Sequence, residues 1–371
     1  MKIACCLFKY APYGGLTRDF LKFAKIANHL GHEVYAYVNQ WDGPEFPEIK
    51  VREIRSRGIT NHRRALSYCQ EVKKILVKDG IDVSVGFNKI PGVNFYYVAD
   101  CCYVEKVNRE KRSIGKLLYV NTSRYRIFSQ LERELFEGST KIMFIDRSQI
   151  EEYEKHYHLH KDRYFIIPPD IKTIETGFNE LDDCNKLREE LGIKSDSFVI
   201  VQVGSDFERK GLKRSLKGVA SLPDEVREKI VFFVIGSGNI KKYKKIAEGL
   251  GIRDVVKFTG GIDNSYPYIK CSNLLLHPAH TENTGTVIME ALVAGVPSIV
   301  TEACGFSHYV EEAGAGFVLR GDFNQVELNN RILEIMSSRI LSKRFSSNAK
   351  KYIDKVESKS LAEEMIKCMF G

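Results

Sequence analysis

Twice along this chain a short apolar run, a glycine-bearing loop and a segment with helix-spaced apolar residues follow one another and then repeat, an order few folds accept. In the first half, residues 2 to 8 are largely apolar and the loop Ala11-Pro12-Tyr13-Gly14-Gly15 follows. Phe20, Phe23, Ala24, Ala27 and Leu30 then recur at helical spacing before the apolar run Val34-Tyr35-Ala36-Tyr37-Val38. A helix near 65–78 and strands at 83–87, 94–99, 141–145 and 164–167 continue the pattern. The second half restarts with strand 198–203, loop 204–211, a helix near 212–221, strand 231–236, a helix near 240–250 and strand 255–261. Residues 298–301 read as the last strand, and charged helices fill the tail from about 325. Strand–helix–parallel strand units in series make doubly wound sheets, so the predicted class is α/β, with two Rossmann-like domains facing a central cleft. Pro168-Pro169 is the best boundary, giving domains 1–168 and 169–350 and a C-terminal helix 351–371 able to pack back on the first domain.

Composition narrows the function classes. No apolar run approaches the roughly 20 residues of a membrane-spanning helix, and the first apolar stretch is too short for a signal-peptide core, which predicts a cytoplasmic protein. Nine cysteines, with adjacent pairs at Cys5-Cys6 and Cys101-Cys102, suit reduced, mostly buried thiols better than a disulfide framework or a zinc site. The net charge of +8 favours an anionic partner without naming it. Between 103 and 132, Lys106, Arg109, Lys111, Arg112, Lys116, Arg124 and Arg126 interleave with Tyr103, Tyr119, Tyr125 and Phe128. Such a segment suits an anionic membrane surface, while Ile127, Leu131 and Leu135 repeat at the spacing of a core-facing helix stripe. No nucleic-acid-binding motif accompanies the basic residues, so nucleic acid is not an expected partner.

The densest chemistry lies in 277–292, which follows Leu274-Leu275-Leu276 and runs toward Gly295-Val296-Pro297. That order reads as strand, loop and helix, with Glu282 in the loop and Glu290 about two turns into the helix. The helix N-terminus at Gly285, Thr286 and Val287 presents unpaired N–H groups and partial positive charge, a seat for an anion. Arg209-Lys210, after the first strand of the second half, supply cations for a diphosphate. Neither glycine turn has the G-x-G-x-x-G order, which disfavours a nicotinamide dehydrogenase. No Asp-x-Asp pair follows a strand end, Asp182-Asp183 falls in a polar connector, and His277, His280 and His308 lack metal-site spacing, so no metal or other cofactor is expected. The three histidines read as pocket or core residues. His62, Arg63, Arg64 and Lys89 are candidates to meet acceptor phosphates, or are simply solvated.

With Glu-(seven residues)-Glu before and within a helix, a basic Lys-Gly loop and an N-terminal Gly-Gly turn, the chain resembles the large retaining glycosyltransferase family of GT-B fold, glycosyl transferases group 1. The runs 10–20, 86–92, 203–211 and 276–280 resemble in particular its members that glucosylate the lipopolysaccharide core. The resemblance implies UDP-glucose as donor, a heptose of the lipopolysaccharide inner core as acceptor, and peripheral attachment to the anionic cytoplasmic face of the inner membrane. It places Glu290 at the ribose hydroxyls, Arg209, Lys210 and the amides of Thr286 and Val287 at the diphosphate, and Glu282 at the sugar hydroxyls. Gly260, Gly261 and Ile262 would offer backbone to the uracil, and Gly14 and Gly15 would let the first loop approach the phosphates. Asp19 would position donor or acceptor. The family's common pattern has Arg directly after the glycine where this chain has Ser205, and Arg209 is the candidate substitute. Glu282 is the nearest candidate for a carboxylate beneath the anomeric carbon, although the resemblance favours donor positioning for it. Asp100, at a strand end, is a candidate for the acceptor side or a turn cap. A transferase using UDP-galactose or UDP-N-acetylglucosamine, and a non-catalytic nucleotide-sugar-binding protein, remain as alternatives.

Overall fold

The computed structural model describes residues 1–12, 14–110, 113–167, 169, 182–356 and 360–371. Tyr13, Lys111, Arg112 and Pro168 of the predictions above lie outside them. The chain forms two compact units, Met1–Pro169 with Ser360–Gly371, and Asp170–Lys359.

The strands of the first unit are β1 (Lys2–Tyr10), β2 (Glu33–Trp41), β3 (Ile49–Glu53), β4 (Val83–Gly86), β5 (Phe95–Tyr97), β6 (Lys141–Phe144) and β7 (Tyr164–Ile166). They pair in parallel in the order β3-β2-β1-β4-β5-β6-β7. Its helices are α1 (Gly15–His29), α2 (Asn61–Lys78), α3 (Tyr103–Glu110), α4 (Ser113–Val120), α5 (Ser123–Glu137) and α6 (Arg147–Glu154). Residues Ile3 to Leu7 of β1 are all fully buried, as a central parallel strand covered on both faces must be. On α1, Phe20, Phe23, Ala24 and Ala27 are buried at i, i+3, i+4 and i+7, the stripe that seats a helix on a sheet.

The second unit carries α7 (Asp182–Glu190), α8 (Leu212–Ala220), α9 (Asp224–Arg227), α10 (Ile240–Gly249), α11 (Tyr266–Lys270), α12 (Thr286–Ala294), α13 (Ser307–Ala313), α14 (Gln325–Ser337) and α15 (Arg339–Ile353). Its strands are β8 (Phe198–Val203), β9 (Ile230–Ile235), β10 (Val256–Gly260), β11 (Leu274–His277), β12 (Ser298–Thr301) and β13 (Gly316–Leu319). They pair in parallel in the order β10-β9-β8-β11-β12-β13. Both sheets reverse direction once, between β1 and β4 and between β8 and β11. A crevice at the carboxyl end of such a reversal is where doubly wound sheets bind ligands.

Several expectations are corrected. Residues 298–301 are not the last strand: β13 follows and closes the sheet edge against β12. Position 350 lies inside the unbroken helix α15, and the chain rejoins the first unit at Ser360, where α16 (Leu361–Phe370) packs on α1 and Phe370 stacks on His32. Asp182 and Asp183 open α7 instead of lying in a loop. Cys184 on α7 and Cys271, directly after α11, form a disulfide, because α7 packs against α11 and brings their Cα atoms to 5.2 Å. The other seven cysteines are free thiols.

Candidate active site

The β8/β11 reversal gathers the predicted residues of the second unit. After β8 the chain turns through Gly204, Ser205 and Asp206, and Asp206 sits at φ 62°, a left-handed conformation uncommon outside glycine. Arg209 and Lys210 follow, and Gly211 starts α8. After β11 come Pro278 to Asn283, and Gly285 enters α12 at φ 81°. The two loops are fastened to each other. His280 N–H donates to Arg209 O at 2.8 Å, and Arg214 Nη1 donates to Pro278 O and Ala279 O, each at 3.0 Å. Glycine is required at 211, since a Cβ there would stand 1.9 Å from Pro278 O.

That fastening puts Glu282 on the cations. Its Oε2 accepts from Arg209 Nη1 at 3.1 Å and is in direct ion-pair contact with Lys210 Nζ. The Arg209 guanidinium also donates to Thr281 O and meets Asp206 at 3.4 Å. Burial, and then the Arg209 charge, pull Lys210 down from the ordinary lysine range to about 7, against the opposing influence of Cys304 and Asp206. Behind this cluster His277, the last residue of β11, is fully buried; burial, Lys210 and Arg209 keep its imidazole neutral. Neither ring nitrogen has a hydrogen-bond partner among the described residues, and Glu282 Oε2 lies 3.6 Å from Nε2.

On α12 every residue from Val287 to Ala294 is buried, and Glu290 is the charged member of that stretch. Thr286 and Gly285 hold the helix N-terminus beside Glu282, whose own backbone is fixed by its N–H to Ala303 O at 3.0 Å. At the end of β10, the Gly260 carbonyl already accepts from Gly236 N–H at 2.8 Å and from the Thr259 hydroxyl at 3.0 Å. Both acceptor positions of that carbonyl are thereby used. Ser205, the departure from the family pattern, shares a 2.9 Å hydroxyl contact with Ser237 after β9.

In the first unit, Gly14 precedes α1 in extended backbone, and a Cβ there would meet nothing closer than Thr17 Oγ1 at 3.6 Å, so local structure does not demand glycine. Gly15 is the first residue of α1. Asp19 is buried on α1 and accepts from Tyr97 Oη at 3.0 Å, across the β1/β4/β5 end of the sheet. Asp100 follows β5; its backbone carbonyl accepts from Tyr153 Oη at 3.0 Å and its carboxylate lies 3.5 Å from Asn88 Nδ2.

Lys89 is neither solvated nor on an open surface. It is ion-paired with the fully buried Glu132 and donates to Cys101 O at 2.6 Å. Glu132 also accepts from the N–H groups of Tyr103 and Val104, capping α3, and from Tyr157 Oη at 2.7 Å. Tyr103 packs on Tyr125 and Phe128, so these aromatic rings turn inward, while Leu117 and Leu118 of α4 are exposed. Leu131 and Leu135 are buried as their spacing predicts, with Ile127 packed beside them.

Sequence reasoning missed Arg214, Asp206 and the position of His277 under Glu282. Arg214 carries no local signal, since its role depends on the approach of two loops far apart in sequence. The positive φ of Asp206 has a weak one, a short polar residue directly after Gly-Ser.

A family model described as Glycosyl transferases group 1 matches residues 183–352. Lipopolysaccharide glucosyltransferase WaaG of Escherichia coli is 37% identical over 374 residues, an alignment covering 100% of this chain and 99% of that protein. A crystal structure of WaaG, a glycosyltransferase involved in lipopolysaccharide biosynthesis, superposes with a TM-score of 0.93 at 36% identity, covering 100% of both chains. Sucrose-phosphate synthase from Thermosynechococcus elongatus superposes with a TM-score of 0.78 at 16% identity, covering 99% of this chain and 98% of that one, a likeness of fold alone.

Proposed function

The chain is a glycosyltransferase of the group 1 family with that family's GT-B fold, and from this premise we propose that it moves glucose from UDP-glucose to a heptose of the lipopolysaccharide inner core with retention of configuration. The observation that carries the reading is the cluster of Arg209, Lys210 and Glu282 at the β8/β11 reversal, beside the N-terminus of α12. Two cations and a helix N-terminus suit a diphosphate and the negative charge it gains on leaving. In this assignment Arg209, Lys210 and the amides of Thr286 and Val287 hold the diphosphate, and Glu290 takes the ribose hydroxyls. Glu282 takes the sugar hydroxyls, and Gly261 and Ile262 read the uracil. The acceptor hydroxyl attacks the anomeric carbon as its bond to the β-phosphate oxygen breaks, and the leaving phosphate accepts the hydroxyl proton on the same face. Asp19 is assigned to positioning donor or acceptor, and Asp100 to the acceptor. Arg209 and Lys210 supply the charge, so the reaction needs no metal.

The same reading assigns α3 to α5 to the anionic cytoplasmic face of the inner membrane. Its support is the exposed pair Leu117 and Leu118 beside Lys116, Arg124 and Arg126. No helix among the described residues is long and apolar enough to cross a membrane.

The test is UDP release by the purified protein with UDP-glucose, UDP-galactose or UDP-N-acetylglucosamine and a heptose-bearing core acceptor, with and without a chelator, and the product linkage read by NMR. An α-linked glucose formed from UDP-glucose with chelator present is the expected result. Turnover with another donor alone would replace the sugar, and failure to bind UDP would remove the site.

A further inference from the structure

His277 stands out in the second unit as a fully buried polar side chain with neither ring nitrogen hydrogen-bonded to any of the described residues. Buried polar groups without partners are uncommon and costly, and a functional site is one of the places where they persist. The imidazole is neutral, so one nitrogen carries a proton and can donate. Glu282 Oε2 lies 3.6 Å from Nε2, just beyond hydrogen-bond reach, because that oxygen is drawn to Arg209 and Lys210 instead.

A diphosphate bound through Arg209 and Lys210 would compete with Glu282 for the same N–H donors. Two anions on the same pair of cations repel, and a carboxylate as buried as Glu282, whose side chain is 9% exposed, cannot be left without a partner. We propose that His277 is a positioning residue for sugar transfer, whose Nε2–H gives the Glu282 carboxylate its second seat when the donor diphosphate takes over Arg209 and Lys210. The shift needs only side-chain rotation, because the backbone around it is fixed: Glu282 N–H bonds Ala303 O at 3.0 Å, and Cys304 Sγ reaches His277 O at 3.7 Å. Held there, Glu282 is turned away from the cations and is available to accept from sugar hydroxyls. This inference rests on the donor site proposed above.

The experiment is a double-mutant cycle on UDP affinity, measured by calorimetry on the full chain. His277→Phe keeps the ring and removes the donor; His277→Gln keeps an N–H donor at nearly the same reach. His277→Phe is expected to weaken UDP binding about tenfold when Glu282 is present, the scale of one hydrogen bond to a charged group. In the Glu282→Ala background it should change nothing, since no carboxylate needs a seat, and His277→Gln should recover most of the loss. An equal loss in both backgrounds would overturn the proposal and make His277 a packing residue. A crystal structure with UDP gives a second readout that needs no variant: the Nε2 to Oε2 distance should fall from 3.6 Å to about 3 Å. An unchanged or longer distance overturns the proposal. Absence of UDP binding by the unaltered chain would instead sink the donor site itself.

Discussion

Glu282 and Lys210, 72 residues apart, meet as an ion pair at the reversal point of the second sheet, with the carboxylate oxygen shared by Arg209. The pair explains how two cations can sit together in a largely buried place before any substrate arrives. The carboxylate touches both cations and offsets part of their mutual repulsion. In the proposed donor site the pair also makes Glu282 a competitor for the groups that would hold the diphosphate, which would tie binding and release of donor to where this one carboxylate points.

Lys210→Ala removes the more buried cation and leaves Arg209 and the α12 amides. The expected outcome is a fall in kcat/KM of about 10²–10³-fold, the usual cost of one donor that stabilises developing charge. Steady-state kinetics with circular dichroism as a fold control checks it. A loss confined to KM would assign Lys210 to ground-state binding alone.

The same lysine sets a pH dependence. Burial and then the Arg209 charge hold Lys210 at about 7 in the folded chain. Between there and the unfolded-state lysine value of about 10.4, the unfolded chain binds the proton that the folded chain has lost, so the contribution of this group to stability rises with pH across that window. UDP affinity runs the opposite way, because the anion needs the ammonium: it should fall by up to about tenfold per pH unit above 7. Urea titrations and calorimetry between about pH 6 and about pH 9, beside Lys210→Ala, which should lose both slopes, check the assignment.

Much of the architecture is legible because it is periodic. β1, β8 and β9 are apolar runs buried on both faces, and α1 shows its stripe plainly. β3 was not legible: Lys50 to Glu53 are exposed residues of an edge strand, which reads as a loop. β13 is four residues beginning with glycine, too short for a pattern. In the second unit, Glu282, Arg209 and Lys210 could be picked out by motif, but their mutual contact could not, since it depends on two loops meeting in space. Glu132 is the opposite case. It counts as one more surface charge in a basic segment until Phe128, Leu135 and Phe136 are seen to share its helix face at i−4, i+3 and i+4.

Glu132→Ala tests that buried position. It would strand the Lys89 ammonium and uncap α3, so a loss of about 3–5 kcal/mol in unfolding free energy is expected, as for removing one partner of a buried pair. Glu134→Ala, two residues on and exposed, should stay within about 0.5 kcal/mol. Denaturant unfolding of both variants measures the difference.

The Cys184–Cys271 disulfide predicts a thiol count. Denatured without reductant, the protein should show seven reactive thiols, and nine after reduction. Closing an 87-residue separation constrains the unfolded chain, so Cys184→Ser should cost about 2–4 kcal/mol under oxidising conditions and little under reducing ones.

Leu117 and Leu118 decide the surface assignment of the first unit. If α4 lies on the membrane, its exposed leucines insert among the acyl chains while Lys116, Arg124 and Arg126 meet anionic headgroups. Each basic residue near such a surface contributes about 1 kcal/mol, and the contribution fades as salt shortens the Debye length. Binding to vesicles rich in anionic lipid should therefore exceed binding to neutral vesicles and weaken with added salt. Leu117→Glu with Leu118→Glu should lower it at least about tenfold by removing apolar burial and adding like charge to the surface. The same variant should keep its turnover on a detergent-dispersed acceptor, because the altered side chains point to solvent and the buried Lys89–Glu132 pair behind them is untouched. Equal loss on dispersed acceptor would place α4 in the acceptor site instead of on the membrane.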